Sequence, residues 1–235
     1  MKTIHPVKNL ALVIPDATRN PATLLNWIPA CAGKTAWFTV FLFGLFASPD
    51  TAHAEKNILV FGDSLSAGYG IARDASWVSL LQQELRRDHR QFEVVNASIS
   101  GETTAGGLRR IAPSLDEHHP AIVIIELGAN DGLRGYSLSE MRNNLSRIIE
   151  QTQHAKAKVL LVGMRLPPNY GKAYVQEFQD TFVQLAKKHR VALLPFLLGG
   201  IPAEQFQADN LHPNAAAQAH LMGNVLTALR PLLSR

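Results

Sequence analysis

The stretch Ala121-Ile122-Val123-Ile124-Ile125-Glu126-Leu127-Gly128-Ala129-Asn130-Asp131-Gly132 carries the plainest structural signal in the chain. Its first five residues form an unbroken apolar run rich in β-branched side chains. That is the pattern of a parallel strand covered on both faces. The run then breaks into a loop rich in glycine and polar residues. The same order of features recurs on either side of it. Ile58-Leu59-Val60-Phe61 runs into Gly62-Asp63-Ser64-Leu65-Ser66, and Phe92-Glu93-Val94-Val95 runs into Asn96-Ala97-Ser98-Ile99-Ser100-Gly101-Glu102-Thr103. Downstream, Val159-Leu160-Leu161-Val162 runs into Gly163-Met164-Arg165-Leu166-Pro167-Pro168-Asn169-Tyr170-Gly171, and Val191-Ala192-Leu193-Leu194 precedes a long tail.

Segments of helical period separate these runs. Trp77, Leu80, Leu81 and Leu85 recur on one face, with Asp74 or Ser76 as the N-cap. Leu138, Met141, Leu145, Ile148 and Ile149 follow Ser137, with Glu140 completing a capping box. Val175, Phe178, Phe182 and Leu185 mark a third helix. A last helix is predicted from about Asn214 to Leu229, with Pro213 as its first residue and Pro231 closing it. Five strand–helix alternations predict a three-layer α/β domain over residues 55–235, with a five-stranded parallel sheet and right-handed crossovers.

The chain has 235 residues, of which 46% are hydrophobic and 18% charged, with a formal net charge of +4. Part of that excess lies before position 55, in Lys2, Lys8, Arg19 and Lys34, and the rest is near balance. The basic residues are scattered with no interleaved aromatic stripe, which argues against nucleic acid. Lys34, the apolar run Ala36 to Ala47 and Ala52-His53-Ala54 are the three parts of a secretory signal. Cleavage after Ala54 and a periplasmic mature protein are therefore expected, the run being short for a membrane span. The only cysteine, Cys31, falls in this leader, so the mature domain is expected to lack disulfides. No apolar exposed stripe is evident, and a monomer is expected.

In a parallel sheet, reactive groups gather at the carboxyl ends of the strands. Neither a P-loop nor G-x-G-x-x-G is present, and Ser66 stands where the nucleophile elbow G-x-S-x-G needs its second glycine. Ser64 alone reads equally as a helix cap. A serine nucleophile needs a base, and the base needs an acceptor on its other ring nitrogen. Asp209-Asn210-Leu211-His212 supplies both on one short loop, although the same four residues also read as a cap beside a surface imidazole. Gly101 and Asn130 follow two other strands and suit an oxyanion site, by close backbone approach and by a side-chain NH2. Leu166, Pro167, Pro168 and Tyr170 read as the wall of a substrate groove.

Asp63 and Asp131, beside these positions, are expected to bond loop amides, and Glu126 to be structural. His118, His119, His154 and His189 are expected to be solvated, as are Arg109, Arg110, Lys187 and Lys188 on their helices. No His/Asp/Glu cluster has metal-ligand spacing, so neither metal nor other cofactor is expected.

The four blocks Gly62-Asp63-Ser64-Leu65-Ser66, Ser100-Gly101-Glu102-Thr103, Gly128-Ala129-Asn130-Asp131 and Asp209-Asn210-Leu211-His212-Pro213 resemble those of the SGNH (GDSL) hydrolases. Ala129 stands where the family pattern has glycine. The resemblance implies a flavodoxin-like sheet, Ser64 as nucleophile, His212 as base and Asp209 as its orienting acid. It also implies an oxyanion hole from the backbone N–H of Ser64 and Gly101 and the side chain of Asn130. The implied activity is hydrolysis of acyl esters and thioesters, with arylesterase, lysophospholipase and acyl-CoA thioesterase reactions in range and a small acyl ester or lysophospholipid as substrate. Two alternatives stay open at this point: a carbohydrate-ester deacetylase of the same fold, and a non-catalytic exported binding module.

Overall fold

A computed structural model describes residues 56–234. The leader, Cys31 and the cleavage position after Ala54 lie outside the described residues. The first strand, β1 (Lys56–Gly62), is followed by the short helix α1 (Ser64–Ala67) and by α2 (Trp77–Asp88). Next come β2 (Phe92–Asn96), α3 (Thr104–His118), β3 (Ile122–Glu126), α4 (Ala129–Leu133) and α5 (Leu138–His154). The chain continues through β4 (Lys158–Val162), α6 (Lys172–His189), β5 (Ala192–Leu194) and α7 (Gln218–Leu233).

The five strands pair in parallel in the order β2-β1-β3-β4-β5. This is the doubly wound order in which the crevice opens between β1 and β3. Helices α3, α5 and α6 pack in series, and α2 packs on α7 as a second group. The side chains of Ile58 to Phe61 and of Ile122 to Ile125 are essentially sealed from solvent, which accounts for their unbroken apolar reading. Each contributes roughly 1.5–3 kcal/mol by burial. Edge strand β2 is only partly covered, and Gln82 of α2 satisfies its Val94 N–H.

Several local expectations meet corrections. Ser76, not Asp74, caps α2, accepting from the Ser79 N–H. Ser137 caps α5 through the Glu140 N–H, as the spacing predicts. Pro213 precedes the last helical region instead of starting it. Asn214 caps a 3-10 turn at Ala215–Ala217 that leads into α7. Pro231 lies within α7 and does not close it. It stands in the last turn, where buried Leu229 and Leu233 hold the helix on the core. Lys158 of β4 donates to the carbonyls of Leu232 and Ser234 at 2.9 and 3.0 Å, satisfying acceptors that a helix end leaves free.

At the end of β1 the packing admits no side chain on residue 62. A Cβ on Gly62 would lie 2.7 Å from the Glu126 carboxylate and 2.8 Å from Ser66 Oγ. Gly62→Ala should therefore destabilise the domain by about 1–3 kcal/mol in denaturant unfolding. A wild-type midpoint would show that this junction yields more easily than its packing implies.

Candidate active site

The turn from β1 into α1 carries Ser64 at the mouth of the crevice. Asp63 caps α1 by accepting the Leu65 N–H at 3.0 Å, and Gly68 ends that helix in the left-handed region. The indole of Trp77 donates to Leu65 O at 3.1 Å and fixes the turn to α2. Ser64 is thus placed by buried neighbours on both sides.

The loop after β5 folds on itself through two backbone bonds, Gln207 N–H to His212 O at 2.8 Å and Asn210 N–H to Gln207 O at 2.9 Å. Asn210 takes a positive φ of 56°, a conformation that asparagine tolerates better than most residues. Asp209 Oδ1 accepts the N–H groups of Leu211 and His212, and Oδ2 lies 2.6 Å from His212 Nδ1. Since the carboxylate only accepts, Nδ1 carries the ring proton, and Nε2 is left with a lone pair. That nitrogen lies 2.8 Å from Ser64 Oγ, within reach of its proton. The His212 and Leu211 N–H groups, with the His212 ring, hold the Asp209 carboxyl down at about 2. Asp209 therefore stays ionised near neutrality.

Two further contacts clamp this loop. Gln207 Nε2 donates to Tyr69 O and Pro213 O, and the Tyr69 ring packs against His212 with centroids 4.6 Å apart. No local pattern announces either residue. Both act across the chain, Gln207 over 138 residues.

Gly101 and Asn130 are drawn together by Asp131. Its carboxylate accepts the Thr104 N–H at 2.9 Å and the Thr104 hydroxyl at 2.6 Å, tying the loop after β2 to α4. Gly101 has φ 79°, which suits glycine, and its carbonyl accepts from Arg134 at 3.1 Å. The Asn130 side chain donates to Asp63 Oδ2 at 3.0 Å. Ser64, Gly101, Asn130 and His212 all border one cleft of about 440 Å³. Its walls are largely apolar, with Tyr69, Leu133, Met164, Leu166, Pro167 and Phe196 among them.

Residues 60–220 match the model of the GDSL-like lipase/acylhydrolase family. The chain belongs to this family. Esterase TesA of Pseudomonas aeruginosa is 46% identical over 182 residues, covering 77% of this chain and 90% of that protein. Thioesterase 1/protease 1/lysophospholipase L1 of Escherichia coli is 38% identical over 200 residues, covering 84% of this chain and 94% of that protein. A crystal structure of the psychrotrophic esterase EstA from Pseudoalteromonas, inhibited by monoethylphosphonate, superposes with a TM-score of 0.73 at 37% identity. That match covers 77% of this chain and the whole of the EstA chain.

Leu166 and Pro167 border the cleft, but Tyr170 does not. The Tyr170 hydroxyl donates to Leu133 O at 2.8 Å and its ring stacks on Tyr174, so it fastens the loop after β4 from behind. His189 is not solvated. Its side chain is 7% exposed and its Nε2 lies 2.7 Å from Ser146 Oγ, where Lys188 also donates. Burial, then the Lys188 charge, lowers its pKa. Arg110 is likewise not a solvated face, since its guanidinium bonds Glu102 at 2.7 Å and lies over the Phe61 ring. Among the described residues no cluster of three or more His, Cys, Asp or Glu is arranged to hold a metal, and no helix is long and apolar enough to cross a membrane.

Glu126 is buried, with its Oε2 accepting from Ser66 Oγ at 2.7 Å and from the Asp63 N–H at 3.3 Å. Burial, and then the neighbouring Asp63 charge, pushes its pKa well above the ordinary 4.5. Burial lifts Asp63 from 3.8 to about 6 against the pull of its hydrogen bonds. Raised carboxyl values mean that their stabilisation is complete below the unfolded values. It is lost as pH climbs from about 4 through 6 and beyond. Glu126→Gln should therefore raise Tm relative to wild type by more at pH 8 than at pH 4. An equal difference at both pH values would contradict the assignment.

Proposed function

We propose that this chain hydrolyses acyl esters and thioesters, aryl esters and lysophospholipids among them, through an acyl-Ser64 intermediate and without a cofactor. One observation carries the reading. Ser64 Oγ, the His212 ring and the Asp209 carboxylate form a continuous hydrogen-bonded line that opens onto an apolar cleft beside Gly101 and Asn130. The names of its relatives, esterase, thioesterase/lysophospholipase and the arylesterase of Vibrio mimicus, point the same way.

The chemistry follows from the donors and acceptors. His212 Nε2 takes the Ser64 proton as Oγ attacks the acyl carbon, and Asp209 stabilises the imidazolium that forms. The backbone N–H groups of Ser64 and Gly101, with the Asn130 amide, supply donors where the carbonyl oxygen gains charge. The imidazolium returns its proton to the leaving alcohol or thiol as the tetrahedral intermediate collapses. Water, deprotonated by His212, then releases the carboxylic acid and restores the hydroxyl. Every group this requires comes from one chain, so a monomer suffices. The apolar walls suit an acyl chain better than a sugar, which weighs against the deacetylase alternative.

We further propose that the leader is a secretory signal cleaved after Ala54, which places the mature enzyme in the periplasm. A lysophospholipid is a better substrate there than a cytosolic acyl-CoA.

Kinetics on p-nitrophenyl esters test the catalytic reading. Ser64→Ala should abolish turnover, and Asp209→Asn should lower kcat by about 10²–10⁴-fold by releasing the tautomer. Across acyl lengths, butyryl to octanoyl esters should exceed acetyl esters in kcat/KM. Wild-type turnover by Ser64→Ala would overturn the mechanism, and activity confined to acetylated sugars would restore the deacetylase.

A further inference from the structure

Behind the nucleophile lies a pair of buried carboxyls that the acyl-transfer steps do not use. Asp63 is 1% exposed and Glu126 is fully buried. Asp63 receives a donor on each oxygen, the Leu65 N–H on Oδ1 and the Asn130 amide on Oδ2, both at 3.0 Å. Glu126 has both its donors on Oε2, and its Oε1 has no partner among the described residues. The charged or titratable groups that act on Asp63 are Glu126 from β3 and His212 from the loop after β5; Leu65 of α1 and Asn130 of α4 offer neutral donors. Two carboxylates buried side by side cannot both stay ionised, so the pair holds one proton near neutrality. The donors favour charge on Asp63 and the proton on Glu126.

We propose that Asp63, as the carboxylate of this pair, is a positioning residue that sets the polarity of the Asn130 amide, with Glu126 holding the pair's proton. The inference rests on Asn130 being an oxyanion donor. A carboxylate only accepts, so it selects the NH2 end of the amide and takes one of its two N–H groups. The second N–H is then left for the cleft that Asn130 borders. A protonated Asp63 removes this selection. Its O–H can donate to the Asn130 carbonyl, and the amide can turn over and present oxygen to a developing oxyanion. The donor becomes a source of repulsion.

The active form is thus the one with Asp63 ionised. Burial brings its pKa up to about 6, inside the range where the enzyme would work. Activity should rise with pH as this carboxyl loses its proton. The protonated carboxyl at 126 favours the charge on Asp63, so removing it should make that loss harder.

The test compares Asp63→Asn, Asn130→Ala, their double variant and Glu126→Gln. Readouts are kcat and KM for p-nitrophenyl butyrate from pH 4 to 9, with Tm and circular dichroism. A lost oxyanion donor costs about 10²–10³-fold in kcat. Asn130→Ala should show that loss, and Asp63→Asn about 10–10³-fold with KM within threefold, because the donor acts in the transition state. In the Asn130→Ala background, Asp63→Asn should cost less than about threefold, since residues acting as a unit are non-additive. Glu126→Gln, which replaces an acidic O–H by a weaker donor, should move the acid limb of kcat to higher pH. Asp63→Asn with wild-type kcat, or losses that multiply in the double variant, would overturn the proposal while leaving Asn130 as a donor. Full kcat in Asn130→Ala, with Ser64→Ala inactive, would instead remove the oxyanion reading itself. Should Asp63→Asn not fold, an acid limb that is unmoved or moved to lower pH in Glu126→Gln overturns the proposal.

Discussion

The contact on which the site depends is the 2.8 Å approach of Ser64 Oγ to His212 Nε2, made between residues 148 positions apart. The two side chains come from loops after β1 and β5, and two intervening strands, β3 and β4, separate those strands in the sheet. Only an ordered sheet with every loop leaving the same edge brings them within a hydrogen bond. The apolar strands are thus a precondition of the chemistry as well as of stability.

Holding that distance is the work of polar contacts in the loops. Asp209 organises its own turn with two backbone bonds before it meets the imidazole. Gln207 then ties that turn to the segment after Ser64, and Trp77 ties the Ser64 turn to α2. Asp131 does the same for the loops bearing Gly101 and Asn130. Preorganisation of this kind keeps donors and base in place without reorganisation during reaction.

Much of this was legible in the sequence for a physical reason. Strands buried on both faces permit no polar interruption, so Ile58 to Phe61 and Ile122 to Ile125 announce themselves. Asp209 and His212 lie three residues apart, so their relation is local and readable. What was not legible is made by long-range pairing. The bond from Asn130 to Asp63 spans 67 residues, and Ser66 to Glu126 spans 60. Asp63 read as a binder of loop amides, which covers its bond to Leu65 but not the one to Asn130. Tyr170 and His189 read as groove wall and solvated imidazole, yet each turns to a partner on another element, Leu133 and Ser146. Pro231 read as a stop, but the burial of Leu233 carries the helix past it. In each case tertiary packing outweighed a local preference.

In the proposed reaction the hydroxyl of Ser64, activated by His212, forms a covalent bond to its substrate's acyl carbon. Treatment of the folded protein with a fluorophosphonate, followed by intact-mass and peptide mapping, tests it most directly. One adduct per chain, confined to Ser64, slowed by competing ester and lost in His212→Ala, is the predicted result. An unlabelled protein, or an adduct on another residue such as Ser66, would contradict it.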